Sequence, residues 1–85
     1  MNTINWTKKA RKQLVPLPRW DIERIIDAVE SLARWPDVAG VKALSGRDDY
    51  RLRVGRYRVI FTVTPDGELT IILVEEVKKR DEHTY

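Results

Sequence analysis

The sequence contains no cysteine and a single histidine, His83. The first absence excludes a disulfide scaffold, a thiolate zinc site and a cysteine nucleophile, and it suits a reducing, cytoplasmic compartment. The second excludes a multi-histidine metal site, so neither a metal nor another cofactor is expected. Long apolar runs are also missing. The longest, Ile71–Val74, is far short of a membrane span, and Met1–Thr7 has no apolar h-region, so no membrane partner is expected. There are no repeats, no low-complexity tracts and no linker. Eighty-five residues are enough for one core, and residues 1–85 are expected to form one domain without a cleft between lobes.

What is present is charge, at 34% of residues, and hydrophobic side chains at 42%, a globular balance. The net charge is only +3, but it is unevenly distributed. Residues 1–12 carry four bases and no acids, and residues 42–58 carry six bases and two acids. Clustered positive charge points to a polyanion or an acidic partner.

The order of elements follows from periodicity. Thr3–Trp6 reads as a short strand. Thr7 can cap a helix running to about Leu14, which Pro16 and Pro18 end. A longer helix is expected from about Pro18 to Arg34, with Ile22, Ile25, Ile26, Val29, Leu32 and Ala33 on one stripe. Residues 37–48 read as a loop. Alternation then predicts strands at Tyr50–Val54 and Tyr57–Val63, joined by a two-residue turn at Gly55-Arg56. Pro65-Asp66-Gly67 predicts a second turn, and Leu69–Val77 a third strand, central in the sheet and covered on both faces. The expected fold class is α+β. An N-terminal strand and two helices pack on one face of an antiparallel sheet, in the order β-α-α-β-β-β, with a short C-terminal segment.

The first hairpin sorts side chains by face. With Gly55-Arg56 as the turn, Arg53 lies opposite Arg58 and Arg51 opposite Ile60. Tyr50, Leu52, Val54, Tyr57, Val59, Phe61 and Val63 form a core face, to which the second turn adds Leu69, Ile71 and Leu73. Arg51, Arg53 and Arg58 share the other face with Ile60, Thr62, Thr70, Ile72 and Val74. Two arginines directly opposite oppose stability by about 0.2–1 kcal/mol. Their planar forks suit phosphate oxygens instead. The alternative is a surface network in which Asp48, Asp49 or Glu76 pairs with them.

Four segments together resemble the RelE/ParE superfamily of bacterial toxins: Trp6–Leu14, Gly40–Gly46, the hairpin Tyr50–Phe61, and the basic, tyrosine-containing ending Val77–Tyr85. The resemblance spans nearly the whole chain and lies closer to the RelE branch. It implies a toxin of a type II toxin–antitoxin pair whose partners are a cognate antitoxin, the ribosome and mRNA. The RelE branch cuts mRNA in the ribosomal A site, using the ribose 2′-OH as nucleophile without a metal. The ParE branch instead poisons DNA gyrase by binding. A third reading is a basic nucleic-acid-binding module that keeps the fold without the activity.

The resemblance also implies roles. Arg51 and Arg53 match two basic positions before the turn, and Arg58 matches the arginine after it. All three would stabilise charge on a phosphorane-like transition state. Arginine does not deprotonate in a protein, so a general base must come from His83, which titrates in the right range, or from the ribosome. Lys79 or Arg80 matches a C-terminal cation that assists the departing 5′ oxygen. Tyr85 matches a tyrosine that stacks on the substrate base. Lys8, Lys9, Arg11, Lys12, Arg56 and Lys78 suit phosphate contacts to RNA or the ribosome. Trp6, Trp20 and Trp35 are expected in core or rim packing, and Glu75 and Glu76 have no expected catalytic role.

Overall fold

The computed structural model describes residues 2–44 and 49–79. The chain begins with strand β1, Asn2–Trp6, followed by helix α1, Lys8–Leu14. Thr7 caps α1 as its position predicts, its Oγ1 accepting from the Ala10 N–H at 3.0 Å. Helix α2, Arg19–Glu30, tightens into a 3₁₀ turn at Ser31–Arg34 instead of continuing as α-helix to Arg34. Four strands follow: β2 Val41–Ala43, β3 Asp49–Val54, β4 Tyr57–Asp66 and β5 Leu69–Lys79. The strand β2 lies inside the stretch expected to be loop. Three residues carry too little alternation to announce a strand, and β2 exists through its antiparallel pairing with β3 (Val41↔Leu52, Ala43↔Tyr50).

The sheet order is β1-β5-β4-β3-β2. The middle strand is therefore β4 and not β5. The sheet is mixed, because β1 runs parallel to β5 from Asn2↔Thr70 to Trp6↔Val74, whereas all other neighbours are antiparallel. The α+β class and the two-helix layer on one face stand as expected.

The first hairpin has the expected register, Val54↔Tyr57, Arg53↔Arg58, Leu52↔Val59 and Arg51↔Ile60. Gly55 sits at φ +57° and Arg56 does not have a positive φ, the pattern of a type II′ turn. A side chain at Gly55 would also meet the Arg24 guanidinium, 3.1 Å from the position of its Cβ.

The second hairpin differs from expectation. Its strands continue through Pro65 and Asp66, and the turn is Gly67-Glu68, closing on Asp66↔Leu69 with Gly67 at φ +64°. Proline fits there because β3 ends its pairing with β4 at Asp49↔Thr62, so no neighbour needs the missing N–H on that side. The shifted turn moves β5 by one residue and exchanges its faces. Ile72 and Val74 are fully buried, opposite Val63 and Phe61, whereas Leu69 is exposed and Ile71 and Leu73 are half-buried on the other face.

The core lies between the sheet and the two helices. It is formed by Ala10, Ile25, Val29 and Leu32 from the helical layer and Leu52, Val54, Tyr57, Val59, Phe61, Ile72, Val74 and Val77 from the sheet. Trp35 packs edge-on against Tyr50 and Phe61, with ring centroids 4.7 and 5.5 Å away. Trp6 is half-buried against the core. Trp20, in the first turn of α2, is 71% exposed and is not the packing residue expected.

Candidate functional site

The sheet face away from the helices carries the basic side chains. Arg53 of β3 pairs with Arg58 of β4, which pairs with Lys78 of β5. One row along, Lys42 pairs with Arg51, Arg51 with Ile60, and Ile60 with Glu76. Directly paired residues share a face, as do alternate residues along a strand, so five cations gather around Ile60 together with the carboxylates of Asp49 and Glu76. Arg51 and Arg58 are half-buried, while Lys42, Arg53 and Lys78 are exposed.

The Nε atoms of Arg51 and Arg58 are buried and have no hydrogen-bond partner among the described residues. A buried donor without an acceptor opposes folding. Glu76, the acid expected in the alternative network, faces lysines instead. Its Oε1 lies 2.9 Å from Lys9 Nζ and its Oε2 3.7 Å from Lys78 Nζ. The hydrogen bond from Lys9 is the largest influence holding its carboxyl below the usual range, with Lys78 adding to it against the opposing effect of burial. Asp49 stands opposite Thr62, and Asp48 lies outside the described residues.

The turn beside the arginines is tied to the helical layer. The Tyr57 hydroxyl donates to Asp21 Oδ2 at 2.9 Å. Burial first, then this bond and the Asp21 charge, push the Tyr57 phenol above its ordinary range. Together with Arg24 against Gly55, the bond fixes the hairpin end that presents Arg53 and Arg58.

The structure thus brings together Arg51, Arg53 and Arg58, as the register predicts, and adds Lys78 and Lys42. Lys79 pairs with Tyr57 and so stands on the helical side of the sheet. The C-terminal cation that β5 offers the arginines is Lys78. Two valines three positions apart, Val74 and Val77, are both buried. That break in a two-residue period is the signal that could have found Lys78. Arg80, His83 and Tyr85 lie outside the described residues. Arg56 is exposed at the turn, and Lys8, Arg11 and Lys12 are exposed on α1, whereas Lys9 is engaged with Glu76.

The arrangement can bind phosphate oxygens through several guanidinium and ammonium groups and can stabilise added negative charge there. Among the described residues no group of three His, Cys, Asp or Glu side chains could hold a metal ion, and no helix is long and apolar enough to cross a membrane. A concave feature lies on the helical side of the molecule. It is a groove of about 640 Å³ between α1 and α2, lined by Ile4, Trp6, Leu14, Val15, Ile26 and Val29, with Arg11 and Glu30 beside them.

A basic sheet face turned away from a two-helix layer defines a small α+β protein with a concentrated cationic surface. Comparison with known proteins gives the family. The sequence profile of the ParE toxin of type II toxin–antitoxin systems (parDE) matches residues 4–83. A protein of Methanocaldococcus jannaschii that bears the name toxin RelE1 is 30% identical over 78 residues, 87% of this chain and 84% of its own length. A chain of the RelE–RelB complex of Pyrococcus horikoshii superposes with a TM-score of 0.79 at 28% identity, covering 95% of this chain and 97% of its own. A chain of the RelBE2 toxin–antitoxin complex of Mycobacterium tuberculosis gives 0.76 at 26% identity, covering 92% and 96%. The chain belongs to the RelE/ParE family of type II toxin–antitoxin toxins.

Proposed function

We propose that this toxin is a RelE-like endoribonuclease that cleaves mRNA on the ribosome in the cytoplasm. The observation that carries the reading is the pair of buried guanidinium Nε atoms of Arg51 and Arg58 that have no hydrogen-bond partner among the described residues, on a face where Arg58 stands between Arg53 and Lys78 in a row of like charges. An RNA phosphate would give those donors acceptors and neutralise the row. In the reaction that the resemblance implies, the ribose 2′ oxygen attacks phosphorus and loses its proton. The bond from phosphorus to the 5′ oxygen breaks, leaving a 2′,3′-cyclic phosphate and a 5′-OH. Arg51, Arg53, Arg58 and Lys78 would stabilise charge on the phosphorane. The described face offers cations but no imidazole, so proton transfer falls to His83 or to groups of the ribosome, and Arg80 and Tyr85 keep the roles that the resemblance implies.

The partner expected besides ribosome and mRNA is a cognate antitoxin. The two similar structures described above come from toxin–antitoxin complexes, and the apolar groove between α1 and α2 has the chemistry of a surface that such a protein would cover. The match to the ParE profile favours a second reading, a gyrase-binding toxin without nuclease activity.

Translation in a purified system, with mRNA ends mapped after addition of the toxin, separates the two. Cleavage at A-site codons that requires ribosomes supports the proposal. Intact mRNA together with trapped gyrase–DNA breaks would replace it with the gyrase reading.

A further inference from the structure

The lysine that meets the arginines is selected by one irregularity in β5. Ile72 and Val74 lie on the covered face. Strict alternation beyond Val74 would carry Glu76 and Lys78 to that face and Val77 and Lys79 to the open one. The register instead shifts between Ile60 and Phe61. Phe61 opposes Val74 and Ile60 opposes Glu76, so Glu75 is the extra residue of a bulge. Past it, Val77 is buried and Lys78 stands opposite Arg58.

The shift falls where β5 loses its parallel neighbour. β1 pairs with β5 only as far as Trp6↔Val74, and α1 with its cap takes over. The Thr7 N–H donates to the Val74 carbonyl at 2.9 Å. Thr7 Oγ1 donates to the Glu75 carbonyl at 3.1 Å. Lys9 reaches the Glu76 carboxylate at 2.9 Å. Gln13 Oε1 accepts from the Val77 N–H at 2.7 Å. Four successive residues of β5 thus each have a partner on this segment. The Gln13 contact is half-buried, as is the Thr7 contact to Glu75, and it is the one directly before Lys78, while the Lys9 contact is made by a lysine side chain that is 65% exposed and is correspondingly weaker.

We propose that Gln13 is a positioning residue: its bond to the Val77 N–H locks the bulged register of β5 and so delivers Lys78, not Lys79, to the arginine face. The functional half of this inference rests on the RNA-cleavage reading, and the register half does not. Without the amide oxygen, the Val77 N–H has no acceptor in a half-buried place. The bulge is then free to move by one residue, which would turn Lys78 away from Arg58.

The test uses Gln13→Leu, which removes the acceptor at similar volume, and Gln13→Glu, which keeps an oxygen there. Amide exchange and cross-strand NOEs in the full chain read the register. Gln13→Leu should speed exchange at Val77 by about tenfold and weaken the NOEs pairing Arg58 with Lys78, and Gln13→Glu should restore both. If Gln13→Leu does not fold, Gln13→Asn, one methylene too short to reach Val77, takes its place. Unchanged exchange and NOEs would overturn the lock.

Cleavage on ribosomes reads the consequence. Lys78→Ala should cost more activity than Lys79→Ala, and Gln13→Leu should add nothing to Lys78→Ala. A full additional loss in the double variant, or a larger loss from Lys79→Ala, would overturn the link to Lys78. If the wild-type toxin cuts no RNA, the cleavage reading fails by itself, and the exchange and NOE measurements still decide the lock.

Discussion

The two faces of the sheet are built on opposite terms. On the covered face, Val59, Phe61, Ile72 and Val74 are fully buried beneath Ile25, Val29 and Leu32, and every contact removes apolar area from water. On the open face, Arg53 stands against Arg58 and Arg58 against Lys78, and two buried guanidinium nitrogens have no acceptor among the described residues. Stability explains the first face and not the second. Unfavourable charge gathered on one sheet face is what the proposed use of that face on a ligand of opposite sign requires.

The comparison predicts a gradient of effects. The largest belongs to Phe61→Ala, which empties a site packed by Trp35 and Tyr50 and should cost about 3–5 kcal/mol in urea unfolding. A loss no greater than that of a surface change would mean the covered face is not the source of stability. Tyr57→Phe comes next. It removes the bond to Asp21 and should cost about 1 kcal/mol at neutral pH.

The same residue has an alkaline signature. Burial first, then Asp21, raise the Tyr57 phenol, so its contribution is complete below the ordinary phenol range and is lost as pH rises through the raised value. The stability of Tyr57→Phe should therefore fall less on alkaline titration than that of the wild type, and parallel curves would contradict this.

A smaller effect is expected for Glu76→Gln. Lys9 first, then Lys78, hold the Glu76 carboxyl low. Its contribution is present above the usual carboxylate range and is lost as pH falls through the lowered value. Between neutral and acid pH, Glu76→Gln should lose less stability than the wild type, and an equal loss would remove Glu76 from the account of acid unfolding.

Arg58→Met is the one change expected to cost no stability, with a gain of at most about 1 kcal/mol. It keeps the apolar stem of the side chain and removes both a like charge and an unpartnered donor.

How much of this was legible in the sequence depended on local chemistry. The register of the first hairpin was readable because Gly55 supplies the one positive φ that a two-residue turn there requires. That register alone placed Arg51, Arg53 and Arg58 on one face. The second hairpin was misplaced because Pro65-Asp66 has turn chemistry wherever it occurs. Only the absence of β3 beside Pro65 allows the strand to continue. β2 was not legible because pairing, and not its own pattern, makes it a strand. Lys78 was legible as a phosphate-contacting cation, but its place opposite Arg58 was not, because the bulge at Glu75 is met by Thr7 and Gln13 more than sixty residues away. The candidate residues Arg80, His83 and Tyr85 lie beyond what the structure describes.

The open face is proposed to work on RNA without holding the fold together. The most direct test measures Arg58→Met twice, by denaturant unfolding and by mapping mRNA ends on ribosomes. The expected result is an unfolding midpoint no lower than that of the wild type and a loss of cleavage of about a hundredfold or more. Cleavage at the wild-type rate by the folded variant would contradict it.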